Sequence, residues 1–144
     1  MFDELNKYQH NDHFFFILTD NLRSGCNAQT DKGGVYIVYA LKGGRIELIY
    51  IGRSGEVKKD GTLSIRKAGL GGLRGRLVNG KQFGEPRRNS WKTVMNYEKI
   101  EALDIYWYAT HCETYIDCPR NIESILLQKH FEIYGRLPKW NTEP

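Results

Sequence analysis

The sequence has little of what marks a secreted or a membrane protein. Its 144 residues include four prolines and three cysteines, Cys26, Cys112 and Cys118. An odd, sparse set of thiols in a chain this long argues against a disulfide framework. No stretch approaches the roughly 18 apolar residues that a membrane helix needs, and residues 1–7 are too polar for a secretory signal. The sequence therefore predicts a cytoplasmic protein with reduced thiols and no membrane partner.

The composition also excludes disorder. Hydrophobic residues make up 40% of the chain and aromatic residues 12%, which is enough apolar material to offset the entropy lost on folding. The length is near the commonest size of a single domain. We therefore expect a main domain over residues 34–144, with an N-terminal helical extension and loop over residues 1–33 that pack on it.

Positive charge is concentrated in one part of the chain. The net charge is only +4, but residues 66–92 contain eight basic side chains and a single acid, Glu85. The basic residues are Arg66, Lys67, Arg74, Arg76, Lys81, Arg87, Arg88 and Lys92. Such a cluster is typical of a partner with a phosphate backbone, although charge alone is equally compatible with a solvated surface.

Local patterns predict a helix, two strands, two helices, a strand and a last helix. The strands are predicted at residues 35–39, 46–51 and 103–110, where β-branched and aromatic residues dominate. The helices are predicted at residues 2–22, 73–77 and 87–100 and from Pro119 to Gly135. The tail after residue 138 is predicted to be extended. This order predicts an α+β domain with a central three-stranded antiparallel sheet flanked by helices.

A series of short motifs follows these elements in order. Gly34-Val35-Tyr36 and Tyr50-Ile51-Gly52 lie on adjacent hairpin strands, so the two tyrosines can share a face. An arginine pair in residues 73–77, Glu123 on the last helix and Asn141 in the tail come later. The ordered set resembles the GIY-YIG nuclease family, which includes homing endonucleases, some restriction enzymes and the incision subunit of bacterial nucleotide excision repair. The resemblance spans residues 34–141, about three quarters of the chain.

The resemblance implies a metal-dependent endonuclease that hydrolyses DNA phosphodiester bonds. Glu123 would be the sole protein ligand of one Mg²⁺ or Mn²⁺ ion, with water and phosphate oxygens as the other ligands. Without the motif, the same glutamate would be interpreted as a solvated residue favoured by the helix dipole. One of Tyr36 and Tyr50 would act as the base, and the other would orient water or phosphate. A phenol with a pKa of about 10 needs nearby positive charge for that role.

Two arginines are candidates for supplying that charge and clamping the scissile phosphate. Arg76 matches the family pattern better than Arg74, but the sequence leaves both open. Arg53 matches a position where some relatives carry a lysine, and it would also face the phosphate. Asn141 matches a late asparagine of the family that holds the geometry of the site.

The chain departs from the family pattern at one position. Many relatives carry a histidine or a tyrosine one helical turn after the key arginine. That position is Gly80 counted from Arg76, or Val78 counted from Arg74. The group that assists the base is therefore missing or comes from elsewhere, and Lys81 is the nearest candidate.

Double-stranded DNA is the predicted partner. The residues assigned to it are Arg74, Lys81, Arg87, Arg88 and Lys92. The last three would grip the backbone from an exposed basic face of the helix at 87–100. Two insertions, 55–69 and 81–89, would carry substrate preference. The chain is too short to contain a separate recognition domain, so a partner subunit or a homodimer is compatible with this function.

Other functions fit the sequence less well. The main alternative is a catalytically inactive nucleic-acid-binding module with the same fold, and another is an interaction domain with incidental motif matches. The glycine-rich residues 69–75 lack the ending of a nucleotide-binding loop. Cys112 with His130 has no support as a nucleophile pair beyond the residue types. A zinc site is disfavoured because its candidate ligands match no paired spacing. Those ligands would be His111, Cys112 and Cys118 with His10 or His13.

Overall fold

In the computed structural model, which describes residues 1–57, 63–64 and 71–142, the chain folds around a four-stranded antiparallel sheet. The strands are β1 (Asn11–Phe16), β2 (Gly34–Lys42), β3 (Arg45–Ser54), β4 (Glu56–Val57), β5 (Leu63–Ser64), β6 (Lys81–Gln82), β7 (Glu85–Pro86) and β8 (Ala102–Ala109). The helices are α1 (Leu22–Gly25), α2 (Gly72–Asn79), α3 (Arg87–Glu98) and α4 (Pro119–Tyr134), with 3-10 turns at Asp3–Leu5 and Lys139–Thr142. The main sheet has the order β1-β8-β2-β3, and β4-β5 and β6-β7 form two small hairpins.

The predicted α+β class is confirmed, and so are the hairpin of β2 and β3, helices α2, α3 and α4, and strand β8. The turn between β2 and β3 consists of Gly43 and Gly44, with φ values of 56° and 77°. Positive φ at both central residues is what a type I′ hairpin turn requires. The glycine pair therefore fixes the register next to the turn, and the register shifts by one residue between Val38 and Tyr39, before the tyrosine motifs.

The predicted helix at residues 2–22 is wrong, and with it the three-stranded sheet. Residues 11–16 form β1, which pairs antiparallel with β8. Phe14 and Phe16 are buried, whereas Phe15 between them is 54% exposed. That alternation has a period of two residues, as in a strand, and aromatic residues suit a pleated surface. Residues 1–33 therefore contribute a strand to the central sheet, and they are not the helical extension that the sequence suggested.

Each face of the sheet is covered by a different layer. Helices α1, α2 and α3 cover one face, where the buried cluster includes Tyr36, Leu73, Trp91 and Trp107. Helix α4 and the first 3-10 turn cover the other face. There Ile122 and Leu126 lie in one cluster with Val35, Ile37 and Ile51. Full burial of such side chains contributes about 1.5 to 3 kcal/mol each, so the sheet is held between two apolar layers.

Local sequence signals mark both ends of α4. Pro119 occupies the first turn of α4, where its missing N–H costs nothing, and Gly135 ends the helix with a φ of 71°. The tail is not extended as expected, because Lys139–Thr142 form a 3-10 turn against β3. Among the residues that the structure describes, no helix is long and apolar enough to cross a membrane.

Candidate functional site

The register of the hairpin brings the two motif tyrosines together. Tyr36 pairs with Gly52 across β2 and β3, and Val38 pairs with Tyr50. Paired residues share a face of the sheet, so Tyr36 and Tyr50 are diagonal neighbours on the face that α2 and α3 cover. Their ring centroids are 6.0 Å apart, with an angle of 42° between the ring planes. Tyr36 has no exposed surface, whereas Tyr50 is half-buried.

The glycines of the two motifs are explained by close contacts. A Cβ atom on Gly52 would lie 2.5 Å from ring carbons of Tyr36, and one on Gly34 would lie 1.9 Å from the carbonyl oxygen of Tyr108. Both distances are far below van der Waals contact. The first glycine leaves room for the tyrosine ring, and the second lets β2 approach β8.

Arg87, the first residue of α3, lies beside both tyrosines. It is 1% exposed. Its Nη2 donates to the hydroxyl of Tyr50 at 3.3 Å, its Nη1 to the carbonyl oxygen of Arg76 at 2.6 Å, and its Nε to Oε1 of Gln82 at 3.0 Å. The guanidinium carbon also lies 5.5 Å from the ring centre of Tyr36 and 5.7 Å from that of Tyr50. These contacts place a positive charge beside both phenols.

The burial of Arg87 corrects the expectation that it lies on an exposed basic face of α3. The next residue, Arg88, is exposed and donates to the side chain of Asn79 at 3.3 Å. Lys92 is half-buried, with its ammonium 5.8 Å from the ring centre of Phe16. Successive helical residues point in different directions, so one of two adjacent arginines faces the tyrosines and the other faces solvent.

Gly80 is where the family pattern would place a histidine or a tyrosine, and the guanidinium of Arg87 fills the space beside it. A Cβ atom on Gly80 would lie 2.1 Å from Nη1 of Arg87 and 2.3 Å from the carbonyl oxygen of Arg76. Lys81, the replacement suggested by the sequence, is exposed. The side chain that occupies this place in the structure is therefore Arg87, which is seven residues further along the chain.

The hydroxyl of Tyr36 is buried and has no well-formed hydrogen bond within the described part of the chain. Burial raises the pKa of Tyr36 far above the usual range of a phenol, because the charged form loses its solvation. The strongest opposing effect is the charge of Arg87, and Arg76 adds a smaller one. The two arginines thus favour the ionised form of a tyrosine that burial keeps neutral.

The two arginines of α2 point to different parts of the molecule. The charge of Arg76 reaches both Tyr36 and Glu123, since it lowers the pKa of each. Arg74 instead donates to the carbonyl oxygen of Arg23 at 2.6 Å. Residues two apart on a helix do not share a face. Of the two candidates that the sequence left open, only Arg76 lies beside the tyrosines and the glutamate.

Glu123 reaches the same region from the other layer. Its side chain is 21% exposed, and its Oε1 lies 3.7 Å from Nε of Arg53. Burial raises the pKa of Glu123, and the charges of Arg53, Arg76 and Arg120 partly oppose that shift. Arg53 pairs with Val35 and so faces α4, whereas Gly52 beside it faces α2 and α3. The site therefore lies at the end of the edge strand β3, where side chains from both faces meet.

Asn141 holds that edge strand. Its Nδ2 donates to the carbonyl oxygen of Ile51 at 2.8 Å, and its Oδ1 accepts from the N–H of Ile51 at 2.8 Å. β3 is the last strand of the sheet, so the amide takes the place of a further strand at one residue. Ile51 lies between Tyr50 and Gly52, and Asn141 thereby fixes the backbone of the second tyrosine motif.

Replacing Asn141 with alanine is expected to lower the free energy of unfolding by about 2 kcal/mol, because two backbone groups of Ile51 lose their partner. Aspartate is expected to cost more at neutral pH, since one carboxylate oxygen would face the carbonyl of Ile51. Urea unfolding followed by circular dichroism measures both changes, with Asn96→Ala on the exposed face of α3 as the control. Equal stability of the Asp variant and the wild type would contradict this role.

Several predicted elements lie away from the site or outside the described residues. His111 accepts from the N–H of Gly33 through Nε2 at 2.8 Å, which is a structural contact. Within the described ranges, no group of three or more His, Cys, Asp or Glu residues could hold a metal ion. Arg66, Lys67 and most of the insertion at 55–69 lie outside the described residues.

The sequence suggested neither the burial of Arg87 nor its contact with Gln82. Gln82 accepts from both Arg87 and the indole N–H of Trp91, at 3.0 and 2.9 Å, and so positions the arginine. Gly80 was the available signal, because a glycine where a large side chain is expected indicates that another group uses the space.

No protein-family model, curated protein or solved structure matches the chain.

Proposed function

We propose that this protein is a metal-dependent endonuclease of the GIY-YIG type that hydrolyses phosphodiester bonds of double-stranded DNA. The observation that carries the proposal is the convergence of its motif residues at the end of β3. Tyr36, Tyr50 and Arg76 come from one layer of the fold, and Arg53 and Glu123 come from the other. Phosphodiester hydrolysis needs a base, cations beside the phosphate and a metal ligand, and this set contains all three.

The tyrosine pair would handle the proton of the attacking water. One tyrosine, as its phenolate, would take that proton while the water oxygen bonds to phosphorus and the bond to the leaving oxygen breaks. The other would orient the water or the phosphate. Arg76 lies where its charge lowers the pKa of Tyr36, and the same guanidinium would neutralise charge on the phosphoryl oxygens.

The side chains around Glu123 fit a divalent cation that binds together with substrate. Mg²⁺ is often held by one or two carboxylates, with water and phosphate oxygens as its other ligands. Arg53, Arg76 and Arg120 lie close enough to lower the pKa of Glu123, so this place is electropositive before a phosphate arrives. When bound, the ion would activate water and offset charge on the phosphoryl oxygens. Glu123 would hold it only with the phosphate present.

Cleavage of supercoiled plasmid tests the proposed function. The wild-type protein is expected to convert plasmid to nicked and linear forms with Mg²⁺ or Mn²⁺ and not with EDTA. Binding to a labelled duplex should be measured at low salt, where phosphate contacts are strongest. Binding without cleavage would instead support the catalytically inactive nucleic-acid-binding module. The full burial of Tyr36 is compatible with that alternative as well. Absence of both would support an interaction domain.

Arg76 and Arg74 form a matched pair for the same assay. Arg76→Ala is expected to lower the single-turnover cleavage rate by about 10²-fold, because it removes a cation beside the reacting groups. Arg74→Ala is expected to lower it by less than about 10-fold, since the guanidinium of Arg74 donates to the carbonyl oxygen of Arg23 in α1 and would contribute to backbone binding rather than to the reacting groups. Melting temperatures of both variants control for unfolding. The opposite ranking of the two rates would contradict the assignment.

A further inference from the structure

We propose that Arg87 is a positioning residue for the tyrosine pair, and that its buried guanidinium supplies the positive charge that stabilises the phenolate base. This inference rests on the proposed nuclease function. It assigns to Arg87 the role of the group that assists the base. The only candidates that the sequence offered for that role were Gly80, which has no side chain, and Lys81, which is exposed.

Within the described residues, Arg87 is a buried charge without a carboxylate partner. It is 1% exposed, and within residues 1–57, 63–64 and 71–142 no carboxylate forms an ion pair with it. Its three acceptors are a carbonyl, an amide and a hydroxyl oxygen. Burying a charge is costly unless it is paired. Among the described residues, Arg87 is therefore a cation without a carboxylate partner, and the groups beside it that can become anions are Tyr36 and Tyr50.

The two buried acceptors of Arg87 each have a second donor. The carbonyl oxygen of Arg76 also accepts from the N–H of Gly80 at 2.9 Å. Oε1 of Gln82 also accepts from Nε1 of Trp91 at 2.9 Å. Tyr50 is half-buried, and its hydroxyl can itself donate a hydrogen bond. Loss of Arg87 would leave neither buried acceptor without a partner, and a purely structural role does not account for its charge.

The hydrogen bond between Arg87 and Tyr50 has a fixed direction. An arginine can only donate, so Nη2 of Arg87 occupies a lone pair of the Tyr50 oxygen. The proton of that hydroxyl must then point elsewhere. An N–H donor on a cationic group is what an oxygen that develops negative charge requires. The charge of Arg87 is also the strongest effect that lowers the pKa of Tyr36. Arg87 can therefore assist whichever tyrosine is the base.

The geometry at Gly80 agrees with this assignment. Nη1 of Arg87 would be 2.1 Å from a Cβ atom there, so a side chain at position 80 and the guanidinium in its present place exclude each other. Arg87 can therefore reach the tyrosines from α3 because position 80 is a glycine.

Arg87→Met and Arg87→Lys test the inference. Methionine fills much of the volume without charge, and lysine restores charge without the planar fork. The measurements are the melting temperature and the single-turnover rate of plasmid cleavage between about pH 6 and pH 10, a range that approaches the pKa of a phenol. Arg45→Met, in the exposed end of β3 away from the site, is the control.

The methionine variant is expected to melt within about 3 °C of the wild type and to cleave about 10²-fold more slowly at neutral pH. The pH at which the cleavage rate of the methionine variant rises should be more alkaline than in the wild type. The lysine variant should recover part of the wild-type cleavage rate. An unchanged pH profile in the methionine variant of an active wild type would overturn the role of Arg87 alone. A wild type that cleaves at no pH would overturn the nuclease proposal and the role of Arg87 with it.

Discussion

Glutamine in place of Glu123 is expected to slow DNA cleavage by about 10³-fold, equivalent to roughly 4 kcal/mol of transition-state stabilisation. Glutamine keeps the size of the side chain and removes only its charge. Glu123 is the carboxylate of the site, and its neighbours are Arg53, Arg76 and Arg120. With no negative charge among three arginines, a divalent cation would lose its protein ligand.

Stability should respond in the opposite direction. Burial raises the pKa of Glu123 in the folded protein, so its ionised form is less favourable there than in the unfolded chain. The resulting penalty is present above the folded pKa and vanishes as pH falls below the unfolded pKa. Glu123→Gln is therefore expected to melt at or above the wild-type temperature at pH 7, and to lose that advantage in acid.

Plasmid cleavage and thermal unfolding of the same samples measure the expected loss of activity and the expected change in stability. Glu132→Gln provides the control, because Glu132 is an exposed glutamate later on α4. The wild type should also lose activity in acid at a pH above the ordinary range of a glutamate, since only the ionised carboxylate binds metal. Full activity of Glu123→Gln with Mg²⁺ would remove Glu123 from the metal site.

Much of the fold could be predicted because its signals are local. The hairpin of β2 and β3 follows from β-branched and aromatic residues on both sides of a Gly-Gly turn. The bounds of α4 follow from Pro119 and Gly135. The turn alone does not place Tyr36 and Tyr50 on one face of the sheet, because the pairing register shifts by one residue between Val38 and Tyr39. That shift is not contained in the local signals.

Strand β1 could not be predicted from its own residues. Three consecutive phenylalanines, Phe14 to Phe16, have no hydrophobic period, and they are compatible with a helix as well as with a strand. Their alternating burial appears only when β8 offers an edge on which to pair. A long-range contact thus decides the structure of this segment.

The same limit applies to the site. Arg53 and Glu123 were each suggested by motif position, but their approach depends on α4 packing on the face of the sheet to which Arg53 points. Arg87 resembled a surface arginine because charged residues are rarely buried. Its burial depends on Gly80, Gln82 and both tyrosines at once. No pattern within one segment contains that information.

Alanine at Gly80 is expected to lower the free energy of unfolding by about 3 kcal/mol, in the upper range for overpacking, and the melting temperature by roughly 10 °C. The backbone there has φ −61° and ψ 144°, which alanine adopts without strain. The cost is therefore steric, from Nη1 of Arg87 at 2.1 Å and the carbonyl oxygen of Arg76 at 2.3 Å. Gly25→Ala is the control, since nothing lies within 4 Å of its added Cβ.

A double variant separates the two contacts at Gly80. Adding Arg87→Met to Gly80→Ala removes the clash with the guanidinium and leaves the clash with the backbone of Arg76. The pair should therefore be more stable than Gly80→Ala alone and less stable than Arg87→Met alone, with a non-additive energy that measures their contact. Strictly additive losses would mean that the two residues do not share this space. A partial recovery of stability would show that the absence of a side chain at Gly80 leaves the space that the guanidinium of Arg87 occupies beside the tyrosines.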